Sequence, residues 1–315
     1  PTIKELDYTF EISKFHITNA QYAEFLINVY QQNLISVRPY DWNSNSGSWV
    51  MGAFPGYGHL EPHLQEDCEY VYQSSWIEPH SYCNNGNVWI QFPKNNDVNW
   101  DNSSHLQFNG TTFIVEPGFG DHPVTGMTLS GAIAFAHYYG LRLATMEELT
   151  KSGNGMNFHD YAWGDYPTYA SNDYSELAKY MNYNRGGCDG FNNPWAPEDN
   201  YTSKTTTPVG FFNGSTYYYP EGFSDANCGT VYEVQTENAV SPYGLYDCNG
   251  NVWTLTSTFV TEGNSANYFA IMGGSGWDNT QYAQTTAAIR GSGYGTYYYK
   301  NVGFRVVRTI NTTND

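Results

Sequence analysis

Basic residues are scarce in this chain. Thirteen Lys and Arg stand against 31 Asp and Glu, the formal charge is −18, and no Lys/Arg run occurs. A nucleic-acid footprint is thereby excluded, as is a basic patch for anionic membranes. Charged residues of both signs make up only 14% of the chain, where about a quarter is usual. No apolar run approaches the roughly 20 residues of a membrane span, so membrane insertion is not expected. The chain opens at Pro1 without a signal-like segment, and removal of a leader or of a tag is the expectation. Cysteine is also sparse, at positions 68, 83, 188, 228 and 248. No CxxC pair is present, which leaves a zinc ribbon unsupported. The first four cysteines lie in Gly/Asn/Ser-rich surroundings suited to stapling long excursions, and the expected bridges are Cys68–Cys83 and Cys188–Cys228. Cys248 sits in an apolar motif and is expected to be a free, small core residue.

What the chain does have is tyrosine, 29 times, and glycine, 31 times, within 17% aromatics. Tyr suits half-buried strands, while Gly and Asn supply turn geometry. The composition therefore suits short strands and long irregular loops better than helical bundles, and with the strands and few helices that follow along the chain the expected fold is α+β. Tyr8, Phe10 and Ile12 alternate as in a strand. Thr18 then caps a helix in which Tyr22, Phe25, Leu26 and Val29 recur at helical spacing. Residues from about 40 to 120 are too long for a plain loop and must carry hairpins or an insertion. Thr128 or Ser130 caps a second helix with a buried face of Ala132, Ile133, Phe135, Ala136 and Tyr139, ended by Gly140. Thr145 and Glu148 have capping-box spacing for a third. Loops are expected from 160 to 235, then short strands such as the runs Ile271 to Gly276 and Val302 to Val307. With no tandem repeat and no linker, residues 1–315 are expected to form one domain. Five sequons, at Asn102, Asn109, Asn200, Asn213 and Asn311, permit glycosylation.

Five blocks, in order, carry a resemblance. They are FEISKFHITNAQYAEFL (10–26), HPVTGMTLSGAIAFAHYYGLRLATMEELTKSG (122–153), YAWGD (161–165), SPYGLYDCNGNVWTLTST (241–258), and GGSGWDN (273–279) through Arg290 to NVGFRVV (301–307). Together they resemble the formylglycine-generating, or sulfatase-modifying-factor, family, whose fold is a variant of the C-type lectin fold. The chemistry of the residues agrees with that framing. Gly244 and Gly250 suit tight turns, Trp253 anchors a core, and Arg305 reads as a structural ion-pair donor with Glu147 and Glu148 as candidate partners.

The resemblance implies two catalytic cysteines that bind Cu(I) just after the GGS segment, where soft thiolates suit that metal. Here Asp278 or Asn279 occupies the first position and Ala283 or Gln284 the second, and no cysteine follows Cys248. Formylglycine generation is not expected, nor is any other catalytic set. The sulfoxide-synthase branch needs a three-histidine iron site, and its only candidate, His59 and His63, is broken by Pro62. The resemblance also implies structural Ca²⁺ on hard oxygen ligands. Asn182 and Tyr183, completed by Asp199, would form one site, and Asn251 belongs to a second that is weakened by Thr254 in place of the family's Glu.

A similarity to the variable proteins of diversity-generating retroelements implies a display surface between GGS and GFR. That interval holds Trp277, Asp278, Asn279, Tyr282, Tyr294, Tyr297, Tyr298 and Tyr299, and tyrosine-rich patches bind through large contact at low entropy cost. The expectation is a non-catalytic protein, extracellular or on a cell or virion surface, whose partner is a protein or glycan ligand or copies of itself. A structural subunit of an extracellular filament or virion assembly is the alternative, with Trp42, Trp49, Trp76 and Trp89 as subunit contacts.

Overall fold

The first and last strands of the chain pair with each other. In the computed structural model, which describes residues 6–42, 45–52, 87–92, 104–155, 159–164, 176–183, 206–225, 229–262, 266–276, 288–290 and 301–310, β1 (Thr9–Ile12) runs antiparallel to β14 (Val306–Ile310). On its other side β14 takes β7 (Arg142–Leu143), giving the order β1-β14-β7. After β1 the contact with the C-terminal segment continues, as Ile17 N donates to Phe304 O at 3.0 Å.

Three α-helices lie among the described residues: α1 (Asn19–Gln31), α2 (Leu129–Tyr138) and α3 (Met146–Asn154). Each starts where a threonine hydroxyl accepts an otherwise orphaned backbone N–H. Thr18 and Thr145 form full capping boxes with Gln21 and Glu148, and Thr128 caps α2. Left-handed residues follow the first two helices, Asn33 at φ +58° and Gly140 at φ +67°, and turn the chain away.

Five small sheets in all lie among the described residues. Besides β1-β14-β7 there is a meander of β2 (Ile35–Trp42), β3 (Asn45–Gly52) and β4 (Asn87–Phe92), and a hairpin of β5 (Leu106–Phe108) and β6 (Phe113–Val115). The described part of the 40–120 stretch is thus built from hairpins. A second hairpin joins β8 (Thr216–Asp225) and β9 (Gly229–Gln235). The remaining sheet is ordered β12-β11-β10-β13, from β10 (Trp253–Glu262), β11 (Ala266–Met272), β12 (Ala288–Arg290) and β13 (Val302–Phe304). Helices α1 and α2 bury Tyr22, Phe25 and Phe135 against Trp253, Leu255, Ile271 and Phe304 of this sheet. Tyr22 stacks on Phe135 with centroids 5.7 Å apart and meets Phe304 edge-on. This is an α+β fold of short strands and few helices.

Four expectations need correction. Tyr139 is exposed, lying past the end of α2 with its ring against Phe135. The 160–235 stretch carries the β8–β9 hairpin, whose alternation is broken by a register shift between Tyr218 and Phe223. The runs 271–276 and 302–307 are not continuous strands. Left-handed Gly273 and Gly274 end the first, and Arg305 divides the second by turning inward. Glu148 pairs with Arg142 instead of Arg305, through two oxygens at 2.5 and 2.8 Å.

Candidate functional site

The chain leaves β11 at Met272 and re-enters the sheet at Ala288, directly opposite. It leaves β12 at Arg290 and re-enters at Asn301 and β13, which runs parallel to β10 with Trp253 opposite Val302. The point of exit and the point of final return are joined. Asn301 Nδ2 donates to Ser275 Oγ at 3.3 Å, and Asn301 O accepts from Trp253 N at 2.8 Å. Gly276 N donates to Asn251 O at 2.9 Å. Trp277, Asp278, Asn279, Tyr282, Tyr294, Tyr297, Tyr298 and Tyr299 lie outside the described residues, as do Asp199, His59, His63 and every cysteine but Cys248.

Beneath this junction the loop 247–251 makes a tight corner. Asp247, Gly250 and Asn251 have φ of +55°, +71° and +62°, a region that Gly enters without strain and that Asn and Asp tolerate best among the others. Gly250 is dictated by space as well, since a Cβ there would collide with the Asn182 carbonyl oxygen. Asn251 is buried, and its carboxamide clasps one backbone residue. Oδ1 accepts from Thr207 N at 2.8 Å while Nδ2 donates to Thr207 O at 3.1 Å. Asn182 completes the corner, its carbonyl accepting from Asn251 N at 2.8 Å and its Nδ2 reaching Asn251 Oδ1 at 3.4 Å. Asn182 and Asn251, expected in two separate calcium sites, thus meet at one corner, and their contact is donor to acceptor. Asn251 does not fit as a calcium ligand here. Its oxygen already receives two N–H donors, and the positive ends of those dipoles would repel a cation. Among the described residues no group of three His, Cys, Asp or Glu side chains is arranged to hold a metal.

Arg305 is buried next to this corner. Its guanidinium donates to the carbonyls of Ser13, Lys14 and Tyr246, tying the chain after β1 to the loop before the corner. Burial pushes the Asp247 carboxyl up to about 6, against a backbone hydrogen bond from Gly210 N at 2.7 Å and the Arg305 charge, which both favour ionisation. Cys248 is a free thiol, which burial pushes up to about 11. Thr254, where the resemblance places Glu, bonds the buried His16 at 2.7 Å, and burial holds that imidazole neutral. Sequence reasoning quoted Asp247 and Ser275 only as parts of the 241–258 and GGS blocks and gave neither a role.

A family model described as the sulfatase-modifying factor enzyme 1-like domain matches residues 4–310. The chain belongs to this family. Comparison with curated proteins finds no match. Among solved structures, the crystal structure of CarF is similar at 15% identity and a TM-score of 0.40, covering 96% of this chain and 99% of that one. PvdO from Pseudomonas aeruginosa is 13% identical with a TM-score of 0.42, covering 65% and 69%. Treponema denticola variable protein 1 is 14% identical with a TM-score of 0.39, covering 86% and 98%. From Gly276 to the C-terminus there is no Cys, Met or His, so no soft ligand for Cu(I). Cys248 is a single thiol held protonated near neutral pH. These residues do not fit a copper centre.

Proposed function

We propose that this sulfatase-modifying-factor domain is a non-catalytic binding protein that works outside the cell or on a cell or virion surface. Its contact face comprises Trp277, Asp278, Asn279, Tyr282, Tyr294, Tyr297, Tyr298 and Tyr299, and its partner is a protein or glycan. The supporting observation is the Asn301–Ser275 junction. It joins Ser275, just ahead of the first aromatic segment in sequence, to Asn301, just after the second, beside strands that pack over the Trp253 and Phe304 core. Any structural calcium draws on Asn182, Tyr183 and Asp199 instead of Asn251.

Two measurements test this reading. Mild tyrosine nitration of the native protein, followed by peptide mapping, is expected to label Tyr294 and Tyr297 to Tyr299 while sparing buried Tyr22 and Tyr161. Protection of those four to the level of Tyr22 in a monomer would end the proposal. Protection in a large oligomer, seen by light scattering, would replace it with the structural-subunit reading. Incubation with a sulfatase-motif cysteine peptide, Cu(I) and oxygen is expected to give no aldehyde, and turnover would show the domain to be an enzyme.

A further inference from the structure

The sequence contains five Asn-Gly pairs, at 85–86, 109–110, 154–155, 213–214 and 249–250. An Asn-Gly pair can rearrange when the glycine nitrogen attacks the asparagine Cγ, because glycine has no side chain to obstruct the approach. Four of the pairs lie among the described residues, and the fold treats them differently. Asn154 and Asn249 are buried. Their following glycine nitrogens are also committed, with Gly155 N donating to Lys151 O at 2.8 Å and Gly250 N to Gly273 O at 2.7 Å. A nitrogen held in such a bond is not available as a nucleophile.

Asn109–Gly110 is the opposite case. It forms the exposed turn between β5 and β6, and Gly110, at φ +94°, has open space around it. No described residue accepts from Gly110 N. Meanwhile Asn109 Oδ1 accepts two backbone N–H groups, from Thr111 at 3.0 Å and Thr112 at 2.9 Å. Two donors on one carbonyl oxygen polarise its carbon and stabilise the oxyanion that forms when a nucleophile adds there. The turn thus supplies an oxyanion hole for the side chain of its own first residue. Asn213–Gly214 is a weaker version. It is exposed and Gly214 N is likewise unclaimed by described residues, but Oδ1 has one donor, Ser215 N at 3.0 Å, and the amide nitrogen is engaged by Tyr217 Oη at 3.2 Å.

We propose that Asn109 is a self-modifying residue, converted in the folded protein to aspartate and isoaspartate through a succinimide with Gly110. Gly110 N loses its proton and bonds to Asn109 Cγ. The tetrahedral oxyanion collapses, the Cγ–Nδ2 bond breaks, and ammonia leaves carrying a proton. Water then opens the ring. Cleavage of the new N–Cγ bond gives aspartate, and cleavage of the bond between the Asn109 carbonyl carbon and Gly110 N gives isoaspartate. Aspartate keeps an oxygen for Thr111 and Thr112 and preserves the turn. Isoaspartate inserts a methylene into the backbone and disturbs the Phe108–Phe113 pairing of the hairpin. Either product adds a negative charge and removes the Asn109 sequon.

The test is timed incubation of the native protein at several pH values and, in parallel, of the protein in urea, with peptide mass spectrometry and enzymatic isoaspartate detection. In the folded protein Asn109 is expected to convert first, Asn213 later, and Asn154 and Asn249 not at all. The Asn109 rate should rise with pH, as loss of the Gly110 proton requires. Unfolding should slow Asn109, which loses its two donors, and speed Asn154 and Asn249. Asn109→Gln should abolish the product at this site, and Thr111→Pro, lacking one donor, should slow it. The proposal is overturned if Asn109 converts more slowly folded than unfolded, or if Asn154 and Asn249 keep pace with it in the native state.

Discussion

Asn251→Ala is the sharpest perturbation of the corner beneath the Ser275–Asn301 junction. The substitution removes the carboxamide that satisfies both the N–H and the carbonyl of Thr207 in a buried setting. Each backbone group left unpaired costs about 1–3 kcal/mol. Alanine at φ +62° adds roughly 1 kcal/mol of left-handed strain. The expected loss is therefore about 3–7 kcal/mol, read as a lower midpoint at unchanged slope in urea unfolding. Asn251→Gly should recover about 1 kcal/mol of this, since it removes the strain but not the unpaired groups. Asn251→Asp should be at least as damaging as Ala, because a carboxylate oxygen then faces the Thr207 carbonyl. All three losses should be the same with calcium and with chelator, because no cation enters the clasp. A loss from Asn251→Ala below about 1 kcal/mol, or one that vanishes on chelation, would refute the reasoning and return Asn251 to the role of a metal ligand.

Two further predictions rest on ionisable groups. Burial alone would raise the Glu148 carboxyl, but hydrogen bonds from Arg142, Thr145 N and Tyr8 outweigh it and hold the group below its ordinary value. Its contribution is thus present above the unfolded carboxylate range and lost as pH falls through the depressed value. Glu148→Gln should cost about 2–3 kcal/mol at neutral pH and less in acid, checked by denaturant unfolding at both. Asp247 has the opposite sign. With its folded value pushed up to about 6, the native state binds the proton more tightly, so stability from this group is full in acid and declines as pH rises through 6. The decline should total about 3 kcal/mol, and Asp247→Asn should flatten that part of the pH profile; an unchanged profile would place the titration elsewhere.

Much of the fold was legible because the signals were local. Thr18, Thr128 and Thr145 each declare a helix start through a hydroxyl acting within three residues, and Gly140 and Gly250 declare turns that other residues enter with strain. What could not be read depended on distant partners. Glu148 was recognisable as a cap, yet its bonds to Tyr8, just ahead of β1, and Arg142, from β7, arise only when the terminal sheet closes. Arg305 was recognisable as structural, but its partners proved to be carbonyls, which every residue offers and no sequence singles out. The β8–β9 hairpin was hidden by its register shift, since a period of two that skips in the middle reads as loop. At the corner, Asn182 and Asn251 were expected in two separate calcium sites, and the sequence did not show that they meet. A carboxamide carries both a donor and an acceptor, so its presence in a Gly-rich turn suits a cation and a backbone clasp equally, and only the position of Thr207 distinguishes them.

The closure of that corner bears on how freely the intervening segments can change. Every bond described at the junction is made between residues on either side of them: Gly276 to Asn251, Asn301 to Trp253 and to Ser275, Asn251 to Thr207. The framework therefore does not depend on particular side chains between 277 and 300 for these contacts. Substitutions within that interval should leave stability within about ±0.5 kcal/mol where the residue is exposed, while substitutions at Asn251, Gly250 or Arg305 should be costly. A binding surface benefits from this division, because contact residues can vary without disturbing the strands that present them. A catalytic site does not, since its reacting groups would have to be held in one geometry by the framework itself. The proposed function takes the junction to be such a framework, and a set of Tyr→Ala changes between 294 and 299 that lowered the unfolding midpoint as much as Asn251→Ala would count against it.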